Sequence, residues 1–248
     1  MYAIQPRAHG ADPLLLACTQ VATFSGTQAL TSASGFFFQR GSRLFLITSR
    51  HVLLDPPTDH RPVRVEFGLH AAGADLTQHH RVSLPLYDNG KSTWRQAGDS
   101  GGDVDVAALE IPAMAMPRGA QFSAFSVRHI QVQMHAVHLG QPLLLVGFPM
   151  GFHDTLHHLP VVRGAVVASA FGVRFQGHGC FVTDAPMHRG SSGAPVVRHD
   201  PDDDTGLPWQ LLGVHATRMD MGSREAQHDA LLGLNLAWYA DVLLALTT

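Results

Sequence analysis

The chain has 248 residues, of which 45% are hydrophobic and 15% charged, with a formal net charge of −3. That length allows one large domain or two smaller halves, and the composition fits a globular protein able to bury a sizeable core. No Lys/Arg run makes a phosphate-binding stripe, and the longest apolar stretches, such as Leu14–Cys18 and Leu143–Val146, fall far short of the ~20 residues of a membrane helix, so neither nucleic-acid nor membrane partners are expected.

The first residues, MYAIQPRAHGADPLLLACTQ, carry Pro6 and Pro13 and an apolar run too short and too late for a secretory signal, so a cytoplasmic location is expected. Short apolar or alternating runs then recur between Gly, Pro and Asp. Gly35–Gln39, Leu44–Thr48, Val63–Phe67, Val82–Leu86 and Val104–Ile111 come first. Leu143–Gly147, Val161–Val167, Cys180–Thr183, Ala194–Arg198, Leu211–His215 and Leu231–Leu236 follow. Such spacing predicts an all-β sandwich or barrel. FFFQRGSRLFLIT reads as a hairpin turning at Arg40-Gly41-Ser42-Arg43. A looser segment, Pro112–Gln141, reads as the connection between two halves, 1–125 and 126–248. Asp200, Asp202 and Asp204 alternate like the start of a calcium loop, but Leu211 stands where a bidentate Glu is required, so a solvated hairpin tip is expected. Ala237–Leu246 fits a short terminal helix.

Cys18 and Cys180 each sit in an apolar run and read as reduced core residues. Histidine is abundant, at 17 residues. His153 and His157 are spaced i, i+4, His79-His80 and His157-His158 are adjacent, and His129, His135 and His138 cluster in the connection. A zinc site on such spacing needs a helix and a third ligand at fixed reach, and neither is evident, so no metal and no cofactor is expected.

Nucleophilic acyl transfer needs a hydroxyl, a base, a group that orients the base, and donors for the developing oxyanion. LFLITSRHVLLD puts His51 directly after a strand, where a rigid sheet end can aim an imidazole. DVDVAALEI puts Asp105 at the start of an apolar strand, half-buried, where a carboxylate can fix the imidazole tautomer. HRGSSGAP sets Ser192 between Ser191 and Gly193, with Gly190 two residues before it. Free of a Cβ, Gly190 and Gly193 can turn the N–H groups of Gly190 and Ser192 toward one point. Each element alone has an ordinary structural reading; the three in this order and setting point to a cleft between two halves.

These blocks resemble those of trypsin-like serine peptidases of the chymotrypsin fold, nearest to the bacterial HtrA-type and glutamyl-endopeptidase branches. ITSRHVL is similar to the family's histidine block, DVAALEI to its aspartate block, and TDAPMHRGSSGAPV to its serine block; LGQPLLLVGFPMG resembles the segment that opens the second barrel in the HtrA branch. Asp103 competes with Asp105, but only Asp105 stands directly before the Val-Ala pair. The resemblance spans roughly residues 30 to 236. It implies two antiparallel six-stranded barrels, the first carrying His51 and Asp105, the second Ser192 and the specificity pocket. It further implies a serine endopeptidase acting on protein or peptide substrates through an acyl-enzyme, with Ser192 as nucleophile, His51 as base, Asp105 as its support, and the Gly190 and Ser192 amides as oxyanion donors. Functions of other classes that fit the same residues are a catalytically silent peptide-binding module and an esterase.

The chain also departs from the family. Ser191 replaces the aspartate that pairs with a newly cut N-terminus in many digestive members, so the oxyanion loop is expected either to be built without that ion pair or to be ordered by an activating protein partner. The HtrA type carries a PDZ domain after its protease domain, and the chain is expected to lack one. Pro186 stands where trypsin-like enzymes place the aspartate that binds Lys or Arg. LLGVHATR resembles the Gly-Ile/Val-His segment of glutamyl endopeptidases, which makes His215, with Ala216 beside it, a candidate to select Glu or Gln. Pro186 and Met187 favour a small or medium apolar side chain instead.

Overall fold

The computed structural model describes residues 11–73, 75–219 and 233–248. Most of the first half is one eight-stranded sheet. Its main strands are β1 (Cys18–Ser25), β2 (Gln28–Arg40), β3 (Arg43–Thr48), β4 (Arg64–His70) and β5 (His79–Pro85). A two-strand excursion, β6 (Tyr87–Asp88) and β7 (Lys91–Ser92), precedes β8 (Trp94–Asp99) and β9 (Gly102–Ile111). The order across the sheet is β5-β4-β1-β2-β3-β9-β8, and the two-residue β10 (Phe125–Ser126) pairs parallel to β2. The second half is a closed six-stranded barrel of β11 (Pro142–Gly147), β12 (Val161–Val167), β13 (Cys180–Asp184), β16 (Leu234–Tyr239), β15 (Trp209–Arg218) and β14 (Pro195–His199), in that order around the ring.

The first half is not closed by a ladder: its edge strands β5 and β8 are connected through the β6–β7 excursion. Thr93 donates its N–H to the Leu86 carbonyl and its hydroxyl to that of Pro85. Pro85, which has no N–H, ends β5 at that point. The predicted hairpin is present: Arg40 pairs with Arg43, and Gly41 takes a positive φ of 60° in the two-residue turn.

The apolar runs are continuous because β2, β3 and β9 are buried on both faces. Side chains alternate across a strand. Phe37, Leu44, Leu46, Ala107 and Leu109 therefore enter the first-half core with Val65, Phe67 and Leu84. Phe36, Phe38, Phe45, Ile47, Val106 and Ala108 point the other way, into a core shared with Val146, Val197, Val214 and Trp238 of the second half. That seam locks the halves face to face. A third cluster, around Leu143, Leu145, Phe181 and Tyr239, fills the barrel.

Three expectations need adjustment. The terminal helix is only Val242–Leu246, because Leu234–Tyr239 is spent as a barrel strand; Leu231 and its neighbour at 232 lie outside the described residues. The acidic tip at 199–208 does join β14 to β15, but it is not fully solvated. Arg128 pairs with Asp204, and the His129 ring bonds the Thr205 hydroxyl at 2.8 Å, folding the tip onto the connection. Strands β1 and β8, written in Thr, Gln, Arg and Gly, are additional. Cys18 and Cys180 are free and buried, and burial pushes both thiols up in pKa. Among the described residues no helix is long and apolar enough to cross a membrane.

Phe36 is fully buried in the seam, edge-on to Phe125 at 5.5 Å between centroids. Phe36→Ala is expected to lower stability by about 3–5 kcal/mol, measured by urea denaturation. A loss below about 1 kcal/mol, the size of a surface substitution, would contradict the shared core.

Candidate active site

Strand β3 ends at Thr48, and the chain turns through Ser49 into a single helical turn, α1 (Arg50–Leu53), which carries His51. The neighbouring strand β9 presents Asp105 to it. Asp105 Oδ2 accepts from His51 Nδ1 at 2.7 Å, while Oδ1 accepts from the His51 backbone N–H at 2.8 Å. Both carboxylate oxygens are therefore committed to one residue, fixing the ring in position and rotation. Asp103, two residues earlier on the same face, instead lies 3.8 Å from Arg50 and is largely exposed.

A carboxylate only accepts, so Nδ1 carries the ring proton and Nε2 of the neutral ring offers a lone pair. That Nε2 is 3.0 Å from Ser192 Oγ, which also lies 3.0 Å from the Ala216 carbonyl oxygen. The hydroxyl proton thus has two acceptors within reach. Burial disfavours the imidazolium, but the hydrogen bond and charge of Asp105, helped by the charge of Asp55, outweigh it, so His51 titrates above the ordinary 6.5.

Ser192 follows a turn closed by the Ser191 N–H donating to the His188 carbonyl at 3.2 Å. The third residue of that turn is Gly190, with φ of +88°, a conformation that favours glycine. A Cβ there would sit 2.6 Å from the Phe148 carbonyl oxygen. The N–H groups of Gly190 and Ser192 make no hydrogen bond to any described residue. Two unclaimed donors therefore flank the hydroxyl. A cavity of about 520 Å³ opens over these groups, between Leu30–Ala33 on one wall, Asp55–His60 on another, and Arg189.

The structure brings His51, Asp105, Ser192, Gly190 and Ala216 together, and it separates the remaining predicted residues from this cavity. Met187 is packed in the barrel core with Leu143, Phe181 and Tyr239, and its N–H bonds back to the Ala185 carbonyl at 2.8 Å. Pro186 is exposed on a different groove, beside Pro149 and Phe152. His215 lends the site its backbone: its carbonyl accepts from the Gly193 N–H at 2.8 Å and from Ser49 Oγ at 3.1 Å. Its ring is buried, and Nδ1 has no partner among the described residues. Burial, reinforced by the nearby His51 charge and only partly opposed by Asp105, pushes its pKa down to about 4, so the ring is neutral at physiological pH. Among the described residues, no group of three or more His, Cys, Asp or Glu could hold a metal ion.

Sequence reading missed Ser34 and Ser49, two buried serines whose hydroxyls reach across the seam to the Gly190 and His215 carbonyls. Ser34 stands just before the run GFFF, and a hydroxyl at the head of an unbroken apolar strand is the signal that marked it.

A family model for the trypsin-like peptidase domain matches residues 33–202. The chain belongs to that family. Among solved structures it is similar to a serine endoprotease from Yersinia pestis, with a TM-score of 0.54 and 17% identity, covering 93% of this chain and 61% of that one. It thus spans less than two thirds of that protein's length. It is also similar to two inactive forms of the Rv3671c protease of M. tuberculosis H37Rv, with TM-scores of 0.52 and 0.51 and 14% identity, covering 95% of this chain and 89% and 91% of those. A comparison with curated proteins found no match. At these identities the solved structures support the fold.

The Asp105 contact makes a direct expectation. His51, followed by NMR titration, is expected to titrate above 6.5, and Asp105→Asn to lower that value, since the largest favourable partner of the imidazolium is gone. An unchanged value in the variant would remove Asp105 as its cause.

Proposed function

We propose that this trypsin-like peptidase is a serine endopeptidase whose catalytic residues are Ser192, His51 and Asp105. The observation that carries the reading is the unbroken hydrogen-bonded line from Asp105 through His51 to Ser192, at 2.7 and 3.0 Å, ending beside two unclaimed N–H groups. Ser192 Oγ attacks the carbonyl carbon of the scissile amide as its proton passes to His51 Nε2. The carbonyl oxygen takes up negative charge between the Gly190 and Ser192 N–H groups. The carbon–nitrogen bond then breaks, His51 returns the proton to the departing amine, and the acyl group remains on Ser192. Water, losing a proton to Nε2, attacks that ester and releases the acid, and His51 returns the proton to Ser192 Oγ. Asp105 stays ionised throughout and stabilises the imidazolium.

For the residue before the scissile bond, we propose an uncharged side chain. Neither Pro186, on another groove, nor the buried, neutral His215 ring supplies a countercharge, and the charged residues that do line the cavity, Asp55, Asp59 and Arg189, offer both signs. Fluorogenic peptides differing only at that position are expected to be cut fastest with an apolar residue or Gln, and at least about tenfold more slowly with Glu, Lys or Arg, the factor that about 1.4 kcal/mol of pocket discrimination produces. Preferential cleavage after Glu would reverse this assignment.

The nucleophile is tested with Ser192→Ala, expected to fold with unchanged circular dichroism, to lose peptide turnover and to lose covalent labelling by a fluorophosphonate. Labelling of the folded wild type with ester turnover but no peptide cleavage would make the protein an esterase. No labelling at all would make it a peptide-binding module.

A further inference from the structure

The two donors beside Ser192 belong to separate peptide planes, and a trans peptide points its C=O and N–H in opposite directions. Whatever grips the carbonyl of a plane therefore aims its N–H. The plane that carries the Gly190 N–H ends in the Arg189 carbonyl, which accepts from the Met150 N–H at 2.5 Å. The plane that carries the Ser192 N–H ends in the Ser191 carbonyl, which accepts from the Ala194 N–H at 3.0 Å. Between them lies the Gly190–Ser191 plane, whose carbonyl accepts from Ser34 Oγ at 2.8 Å. Rotating the Arg189–Gly190 peptide would replace a donor with a carbonyl oxygen and abolish the site.

Ser34 belongs to the other half of the molecule, on β2, and is fully buried. Its hydroxyl donates to Gly190 and accepts from the Phe148 N–H at 2.9 Å. Phe148 opens the short turn that places Met150 against Arg189, with Met150 at φ +54°, an uncommon conformation for a residue with a side chain. Ser34's own backbone is held on both sides: its N–H donates to the Ser192 carbonyl at 2.9 Å, and its carbonyl accepts from Thr48 Oγ1 at 2.8 Å. There is no room to rearrange, since a Cβ on Gly147 would lie 2.4 Å from Ser34 Oγ.

We infer that Ser34 is a positioning residue for the oxyanion donors, its single hydroxyl fixing both the nucleophile turn and the 148–151 turn that aims the Gly190 N–H. An ion pair to a cut N-terminus is not needed where a neutral hydroxyl from the opposite half does this. The inference rests on the peptidase reading and deepens it.

The test compares wild type with Ser34→Ala in the full chain, using a fluorogenic peptide that the wild type cleaves and a peptidyl trifluoromethyl ketone, whose serine adduct places an oxyanion between the two donors. Ser34→Ala is expected to fold, to lower kcat about 10- to 100-fold, the scale of a small misplacement at a reacting centre, and to leave KM within about twofold. Ketone affinity is expected to fall in step with kcat/KM. Unchanged kcat, a loss seen mainly in KM, or a kcat loss without a matching loss of ketone affinity each overturns the inference. Should Ser34→Ala not fold, Ser34→Cys, of similar volume but a weaker donor, decides by the same readouts: reduced kcat at unchanged KM supports the assignment and wild-type kcat overturns it. A wild type that neither cleaves peptides nor labels with a fluorophosphonate fails the peptidase reading itself. Positioning is then read from hydrogen exchange at the Met150 N–H: faster exchange in Ser34→Ala supports it, and equal exchange overturns it.

Discussion

The two halves are pressed tightly together where the chain passes Gly193. A Cβ there would stand 2.2 Å from the Ser34 carbonyl oxygen and 2.4 Å from Thr48 Oγ1, and φ is +85°. Only a residue without a side chain permits that passage, and everything at the site depends on it. Because β2 and β3 press directly on the segment after Ser192, backbone bonds can span the seam, from Ser34 to the Ser192 carbonyl. The nucleophile is thereby referenced to the half that holds its base.

The apolar seam supports the same arrangement over a larger area. Phe36, Phe38, Phe45 and Ile47 bury their side chains against the barrel, so the strands that deliver His51 and Asp105 cannot slide relative to those that deliver Ser192 without opening a close-packed core. His51 and Asp105 sit at the seam's rim, with side chains 34% and 22% exposed. Screening there is partial: the carboxylate still governs the ring's protonation, while a substrate has access.

Much of this was legible in the residues themselves. Runs such as LFLIT and VVRGAVV declare strands because unbroken or alternating apolarity leaves little choice, and Gly190 and Gly193 declare a turn that a side chain would obstruct. Strand β1, CTQVATFS, was hidden because its buried face carries Thr19 and Thr23, and β8, WRQAGD, because Trp94 is its only buried residue. Met187, read as a pocket wall, is buried with Leu143, Phe181 and Tyr239. Nearness to Ser192 along the chain carries no information on whether a side chain faces a cleft or a core. Ser34 lies 158 positions from Ser192, and a hydroxyl at the head of GFFF marks the residue without naming a partner at that separation.

The order of the parts along the chain also has a temporal meaning. The first half can pair His51 with Asp105 as soon as β3, α1 and β9 have come together, since β3, which leads into α1, and β9, which carries Asp105, are neighbours in one sheet. At that stage the growing chain has no nucleophile. Ser192, the turn at Gly190 and the strand after it emerge later and are followed by β15 and β16, whose closure of the barrel supplies the His215 carbonyl that holds Gly193. A chain made from its N-terminus therefore completes its reactive centre only after the whole second barrel has been made, so the topology itself withholds the chemistry from a half-made barrel.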